Sequence, residues 1–162
     1  MTSGNDEYLL EATDVSKRYG AVVALESASL RVRPGESHAL MAFSAVVIEP
    51  AAFEEWLAQQ AADAGAPATP VAARGQELFD QVGCGACHTV RGTTAQGTIG
   101  PDLTHLAGRS KLAAGVLPNS HEALVRWITQ TETIKPGSRM PSFGALPADH
   151  VEAIASYLEG LE

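Results

Sequence analysis

A mainly α-helical domain, preceded by a short β-rich N-terminal segment and a separate helix, is the fold class that this sequence of 162 residues predicts. Apolar residues recur at helical spacing in three stretches from residue 72 onward, near 72–82, 119–128 and 147–161. The first third instead alternates apolar and polar residues with the period of two of a strand. Between the first two helical stretches lies Cys84-Gly85-Ala86-Cys87-His88, which sets two thiols and an imidazole on one short turn.

Taken in order, residues 8–33 carry Leu10, Ala12, Val15, Val22, Val23, Leu25, Leu30 and Val32 in alternation, broken at Gly20. Two short strands are predicted, with Arg33-Pro34-Gly35-Glu36 as a turn and a further β-rich run over 38–48. Pro50 to Ala62 reads as a packing helix: Pro near its start, Glu54 and Glu55 in its early turns, and Phe53, Trp56 and Leu57 at i, i+3 and i+4. Residues 63–70, small and containing two prolines, read as a linker. The next helix, over about 72–82, presents Leu78 and Phe79, and carries Gly75 at a cost of ~1 kcal/mol against Ala. A Gly- and Thr-containing loop then runs to Gly100, followed by a short helix around Leu103 to Ala107. Asn119 and Glu122 form a capping-box-like start to a helix with Leu124, Trp127 and Ile128 on one face. The last helix starts near Pro147 and aligns Val151, Ile154, Leu158 and Leu161.

C-x-x-C-H is the attachment pattern of c-type haem, in which two thiols join the porphyrin edge and the adjacent imidazole ligates iron. A redox-active dithiol would belong near a βαβ pattern, and a structural zinc site needs further ligands, whereas Cys84 and Cys87 are the only cysteines. A second axial ligand has three methionine candidates, Met1, Met41 and Met140. Met140 follows Ile134-Lys135-Pro136-Gly137-Ser138-Arg139, in a loop stiffened by proline. Such a loop can hold a thioether against iron at little entropic cost, although methionine is also a common core filler.

Residues 71–162 resemble a class I cytochrome c helical domain around one haem. The resemblance rests on Gly75 and Phe79, the C-x-x-C-H at 84–88, Gly100-Pro101-Asp102-Leu103, Lys135-Pro136-Gly137 through Met140-Pro141, and Tyr157 in the closing helix. It implies covalent haem c on Cys84 and Cys87, with His88 and Met140 as axial ligands of the haem iron. It implies also that the Pro101 carbonyl accepts a hydrogen bond from the other nitrogen of His88. Gly75 would then admit the closing helix, with Phe79 against Tyr157.

The N-terminal part resembles other families. Leu10 to Gly20 with Val23-Ala24-Leu25, and Pro34-Gly35-Glu36-Ser37-His38-Ala39-Leu40-Met41, are similar to the opening of an ATP-binding cassette transporter ATPase of sugar-importer type, in which Tyr19 would stack on adenine. The phosphate loop that should follow is missing, so no ATP is expected. Residues from Ser37 to Leu57 resemble the end of the copper domain of cytochrome c oxidase subunit II, to which a cytochrome c domain is fused in some bacteria. His38 and Met41 fit the last ligands of its dicopper motif, but Leu30 and Pro34 stand where the bridging cysteines belong, so no copper is expected. The predicted organisation is therefore a 1–41 ATPase-like fragment, a 42–62 copper-domain remnant of strand plus helix, a 63–70 linker and a 71–162 cytochrome c domain. The two likenesses join at Ser37 to Met41, and residues 1–49 are expected to be poorly ordered or an exposed β-ribbon at best.

A net charge of −8, most of it upstream of residue 71, speaks against a nucleic-acid partner. No apolar run reaches the ~18 residues of a membrane span, and the start lacks the features of an export signal. The family implies the outer face of the cytoplasmic membrane. His105, His121 and His150 read as solvated, with His105 as an alternative ligand. The function predicted is electron transfer to or from redox protein partners, as the cytochrome c module of a haem-copper oxidase in a respiratory chain. With both axial positions filled, the chain is not expected to be an enzyme on its own. The alternatives are a peroxidase-type haem enzyme with Met140 off the iron, and a non-functional joined reading frame.

Overall fold

The computed structural model describes residues 10–19, 22–32 and 48–162. The chain divides into two units, Met1–Ala42 and Phe43–Glu162. In the first, β1 (Leu10–Tyr19) and β2 (Val22–Val32) pair antiparallel, from Leu10 opposite Val32 to Tyr19 opposite Val22. The predicted short strands are thus 10 and 11 residues long. Irregularities in the register, the first between Ala12 and Val15, let the pairing continue. The predicted turn at 33–36, most of the β-rich run over 38–48, and His38 and Met41 lie outside the described residues.

The second unit is helical, with α1 (Pro50–Ala61), α2 (Pro70–Val82), α3 (His121–Thr129), the one-turn α4 (Thr131–Ile134) and α5 (Ala148–Glu159). Two two-residue strands, Lys111–Leu112 and Leu117–Pro118, pair between α2 and α3 in the chain. The mainly α-helical class is as predicted. The core gathers Leu78 and Phe79 of α2, Leu124 and Ile128 of α3, and Val151, Ile154 and Leu158 of α5 around Val90 and Leu103 from the loops. Where α2 meets α5, Gly75 is indispensable: a Cβ there would overlap the Ala153 carbonyl. One turn on, Phe79 meets Tyr157 edge-to-face with centroids 5.7 Å apart.

Several local expectations are corrected. Helix α2 begins at Pro70, not near 72, because Thr69 accepts a hydrogen bond from Ala72 N at 3.1 Å and Pro70 occupies the first turn. Residues 69–70, read as linker, are thus cap and helix. The cap of α3 is Ser120, which accepts from Ala123 N. Asn119 instead donates to the carbonyls of Leu106 and Arg109, at 2.8 and 2.7 Å. Residues 103–107 form turns rather than a helix, since Leu103 N donates to Thr89 O and Ala107 N to Leu161 O. Backbone groups bound to remote partners cannot also close helical turns.

Helix α1 buries none of its residues, so its predicted packing face, Phe53, Trp56 and Leu57, stays 42–46% exposed. Among the described residues, the ties from outside the helix are at its C-terminal end. The Arg91 guanidinium donates to Gln60 O at 2.5 Å and Ala62 O at 2.9 Å, and Ala64 N donates to Arg91 O at 3.0 Å. The guanidinium thereby satisfies carbonyls that a helix end leaves orphaned.

Candidate haem site

Gly83 ends α2 in the left-handed region, at φ 88°, and turns the chain into a single 3-10 turn over Cys84–Ala86. Cys87 N and His88 N both donate to Cys84 O, at 3.1 and 3.0 Å, so the C-x-x-C-H segment is wound tightly on itself. The loop that follows folds back over it, with Gly97 N donating to Gly85 O and Gly100 N to Cys87 O. Both cysteines carry free thiols and are half-buried. Burial pushes the Cys84 thiol up to about 11; a backbone hydrogen bond opposes the rise, and Asp80 and Cys87 add to it. A thiol held protonated at neutral pH is the opposite of an activated redox dithiol.

His88 Nδ1 lies 2.8 Å from Pro101 O. A carbonyl only accepts, so Nδ1 carries the proton and donates, which leaves the Nε2 lone pair free for a metal. The Pro101 segment is itself pinned. Thr104 N donates to Asp102 Oδ1 at 2.8 Å, Arg91 pairs with Asp102 at 3.5 Å, and Arg109 donates to the Asp102 carbonyl. Burial raises the Asp102 carboxyl, but hydrogen bonds from Thr104 and the Arg91 and Arg109 charges outweigh it and hold the group below its ordinary value.

Cys84, His88 and Met140 line one cleft, whose remaining walls are Phe79, Val82, Leu103, Ile128, Phe143, Leu146, Ile154 and Leu158. Its open volume is about 40 Å³, and a larger hollow of about 180 Å³ lined by Pro67, Thr69, Ala72 and Tyr157 contains none of these donors. Chemistry rather than size therefore locates the site. Apolar walls with one imidazole, one thioether and a thiol fit a haem, which needs a dry pocket and soft or imidazole donors. His105 is not part of that lining. Its Nδ1 lies 2.7 Å from Glu162 O, and its Nε2 accepts from Arg91 at 2.9 Å. His121 and His150 are likewise absent from it, and His121 bridges Glu152 and Glu159 instead. Arg91, Thr131 and Ser142 were missed in the sequence, because their bonds join segments that no local pattern connects.

A helical core closed by the crossing of α2 and α5, with Cys84, His88 and Met140 on one apolar cleft, defines a c-type haem domain. The chain belongs to the cytochrome c family, whose sequence pattern matches residues 72–162. Electron transfer through a covalently held haem c is the class of function that membership carries. Beyond the family, the chain is 32% identical over 128 residues to cytochrome c oxidase subunit 2 of Alkalihalophilus pseudofirmus, covering 79% of this chain and 36% of that protein. It is 30% identical over 132 residues to the protein of the same name from Bacillus sp. strain PS3, with 79% and 37% covered. These alignments are longer than the family match, so the likeness reaches upstream of residue 72. The chain spans little more than a third of the length of these curated relatives. A second likeness, 57% over 37 residues, is to a ribose/galactose/methyl galactoside import ATP-binding protein of Hahella chejuensis, covering 23% of this chain and 7% of that protein. Among the described residues, no helix is long and apolar enough to cross a membrane.

Proposed function

We propose that this chain is a mono-haem electron carrier in which Cys84 and Cys87 hold haem c through thioethers and His88 and Met140 are its axial ligands. The observation that carries this reading is the cleft shared by Cys84, His88 and Met140 in otherwise apolar walls. When bound, the haem supplies one-electron exchange between ferric and ferrous iron. The chain's own residues tune that exchange. The Met140 thioether favours the ferrous state, the acceptor at Pro101 orients His88 and raises its basicity, and the apolar walls exclude water. With imidazole and thioether both committed to the iron, a substrate would find no position there, and the chain alone would serve as a carrier rather than an enzyme.

The module serves as the cytochrome c part of a haem-copper terminal oxidase subunit II, on the outer face of the cytoplasmic membrane. Its partners are redox proteins, and Lys135 and Arg139, both exposed in the Met140 loop, offer positive charge to an acidic one. Residues 71–162 form the working domain. Residues 42–62 are a copper-domain remnant, 63–70 lead from it, and 1–41 are an ATPase-like fragment. Neither copper nor ATP takes part, for want of the bridging cysteines and the phosphate loop. The test is the optical spectrum of the full chain, exported and matured with haem. The expected ferric form shows the weak long-wavelength band of thioether ligation, and Met140→Ala abolishes it. Covalent haem without that band would favour an open site and a peroxidase-type enzyme.

A further inference from the structure

The loop that carries Met140 is exposed over most of its length, yet it is fastened from both sides to one short element. Upstream of Met140, Gly137 N donates to Glu132 Oε1 at 3.1 Å. Downstream, the Ser142 hydroxyl shares a 2.7 Å hydrogen bond with the Thr131 hydroxyl and accepts from Glu132 N at 3.3 Å. Thr131 is fully buried, at 0% exposure, one of two buried polar residues among those described. A buried hydroxyl is retained at a desolvation cost, so its bond to an exposed serine needs a reason beyond packing. The next residue of the loop, Phe143, donates its N–H to Ile128 O at 2.9 Å, and both of these residues line the cleft.

We propose that Thr131 and Glu132, the first two residues of α4, form a bracket that holds the Met140 loop against the cleft and so sets how readily the thioether leaves the iron. They are positioning residues, acting through the loop rather than on the haem. The proposal rests on Met140 being an axial ligand. Without the Thr131–Ser142 bond, the downstream side keeps the weak Glu132 contact at Ser142 and the backbone bond of Phe143 to Ile128, and the loop opens more often.

The experiment uses the full haem-loaded chain and follows the rate at which cyanide replaces methionine on the ferric iron, together with the long-wavelength band. Thr131→Val keeps shape and removes the hydroxyl, and should speed replacement about tenfold, the effect of roughly one net hydrogen bond. Thr131→Ser should restore the wild-type rate. A purely structural role would lower the denaturation midpoint without changing replacement under conditions where the fold is intact. Ser142→Ala, at the exposed end of the same bond, reads the bracket even if Thr131→Val folds poorly, and should move the rate in the same direction. Wild-type rates in Thr131→Val or Ser142→Ala, in protein whose band Met140→Ala abolishes, would overturn the bracket alone. A wild-type chain lacking the band would overturn the ligand assignment and the bracket with it.

Discussion

Gly100 stands against the His88 ring so closely that a Cβ would come 2.5 Å from Cε1, 2.7 Å from Nδ1 and 3.0 Å from Nε2. Gly100→Ala must therefore rotate the ring or lift the loop, and either breaks the 2.8 Å bond to Pro101. The expected outcome is poorer haem loading and an altered ferric spectrum with the helical circular dichroism retained. A second residue-scale effect belongs to His121, whose two ring nitrogens lie 2.6 Å from Glu152 and 3.0 Å from Glu159. Carboxylates accept, so only the imidazolium donates to both. The Glu152 bond raises the His121 pKa above its ordinary 6.5, burial lowers it, and Glu159 raises it further. A raised folded pKa gives stability that is full below the unfolded value and lost as pH rises through the folded one. His121→Asn should lower the unfolding free energy by no more than about 1 kcal/mol near pH 5.5, since the side chains are at least a third exposed and screened. The difference from wild type should shrink by about pH 8.5, as read by denaturant titration at both pH values.

At the scale of elements, the crossing of α2 and α5 rests on Gly75. Alanine would add ~1 kcal/mol of helix propensity, yet its methyl must displace the Ala153 carbonyl, and overpacking of this kind costs typically 1–3 kcal/mol. The steric term wins because helix backbone yields little. Gly75→Ala is expected to lower the denaturation midpoint of the haem-loaded chain, and a rise would refute the contact. The end of α1 depends on Arg91. Arg91→Ala should speed hydrogen exchange at the last turn of α1 about tenfold, near the value of one net hydrogen bond, while exchange in α2 and α5 is unchanged.

At the scale of the whole molecule, Met1–Ala42 and Phe43–Glu162 are separate units, and every residue assigned to the haem lies in the second. Removing residues 1–42 from the matured protein is expected to leave the ferric and ferrous spectra and the Met140 band unchanged, and a shifted spectrum would overturn the assignment of the haem site to residues 43–162 alone. The C-x-x-C-H segment was legible because its chemistry is local: two thiols and an imidazole need only one turn of chain to come together. The helices were legible for a similar reason, since burial on one face imposes a 3.6-residue period. The stiff loop around Met140 was legible from its prolines, and the bond between His88 and Pro101 only through resemblance. Residues 103–107 misled because Leu103 and Leu106 have helical spacing while the N–H groups of Leu103 and Ala107 go to the carbonyls of Thr89 and Leu161. Asn119 misled because its amide serves the 106–109 turn rather than the helix beside it. The sequence by itself thus determined the C-x-x-C-H turn, the helical class and the proline-stiffened loop that carries Met140. Tertiary structure alone decided the Thr131 bracket, the Arg91 tie and the ring position over Gly100, because each joins residues distant in the chain, and their meeting depends on how the whole core packs.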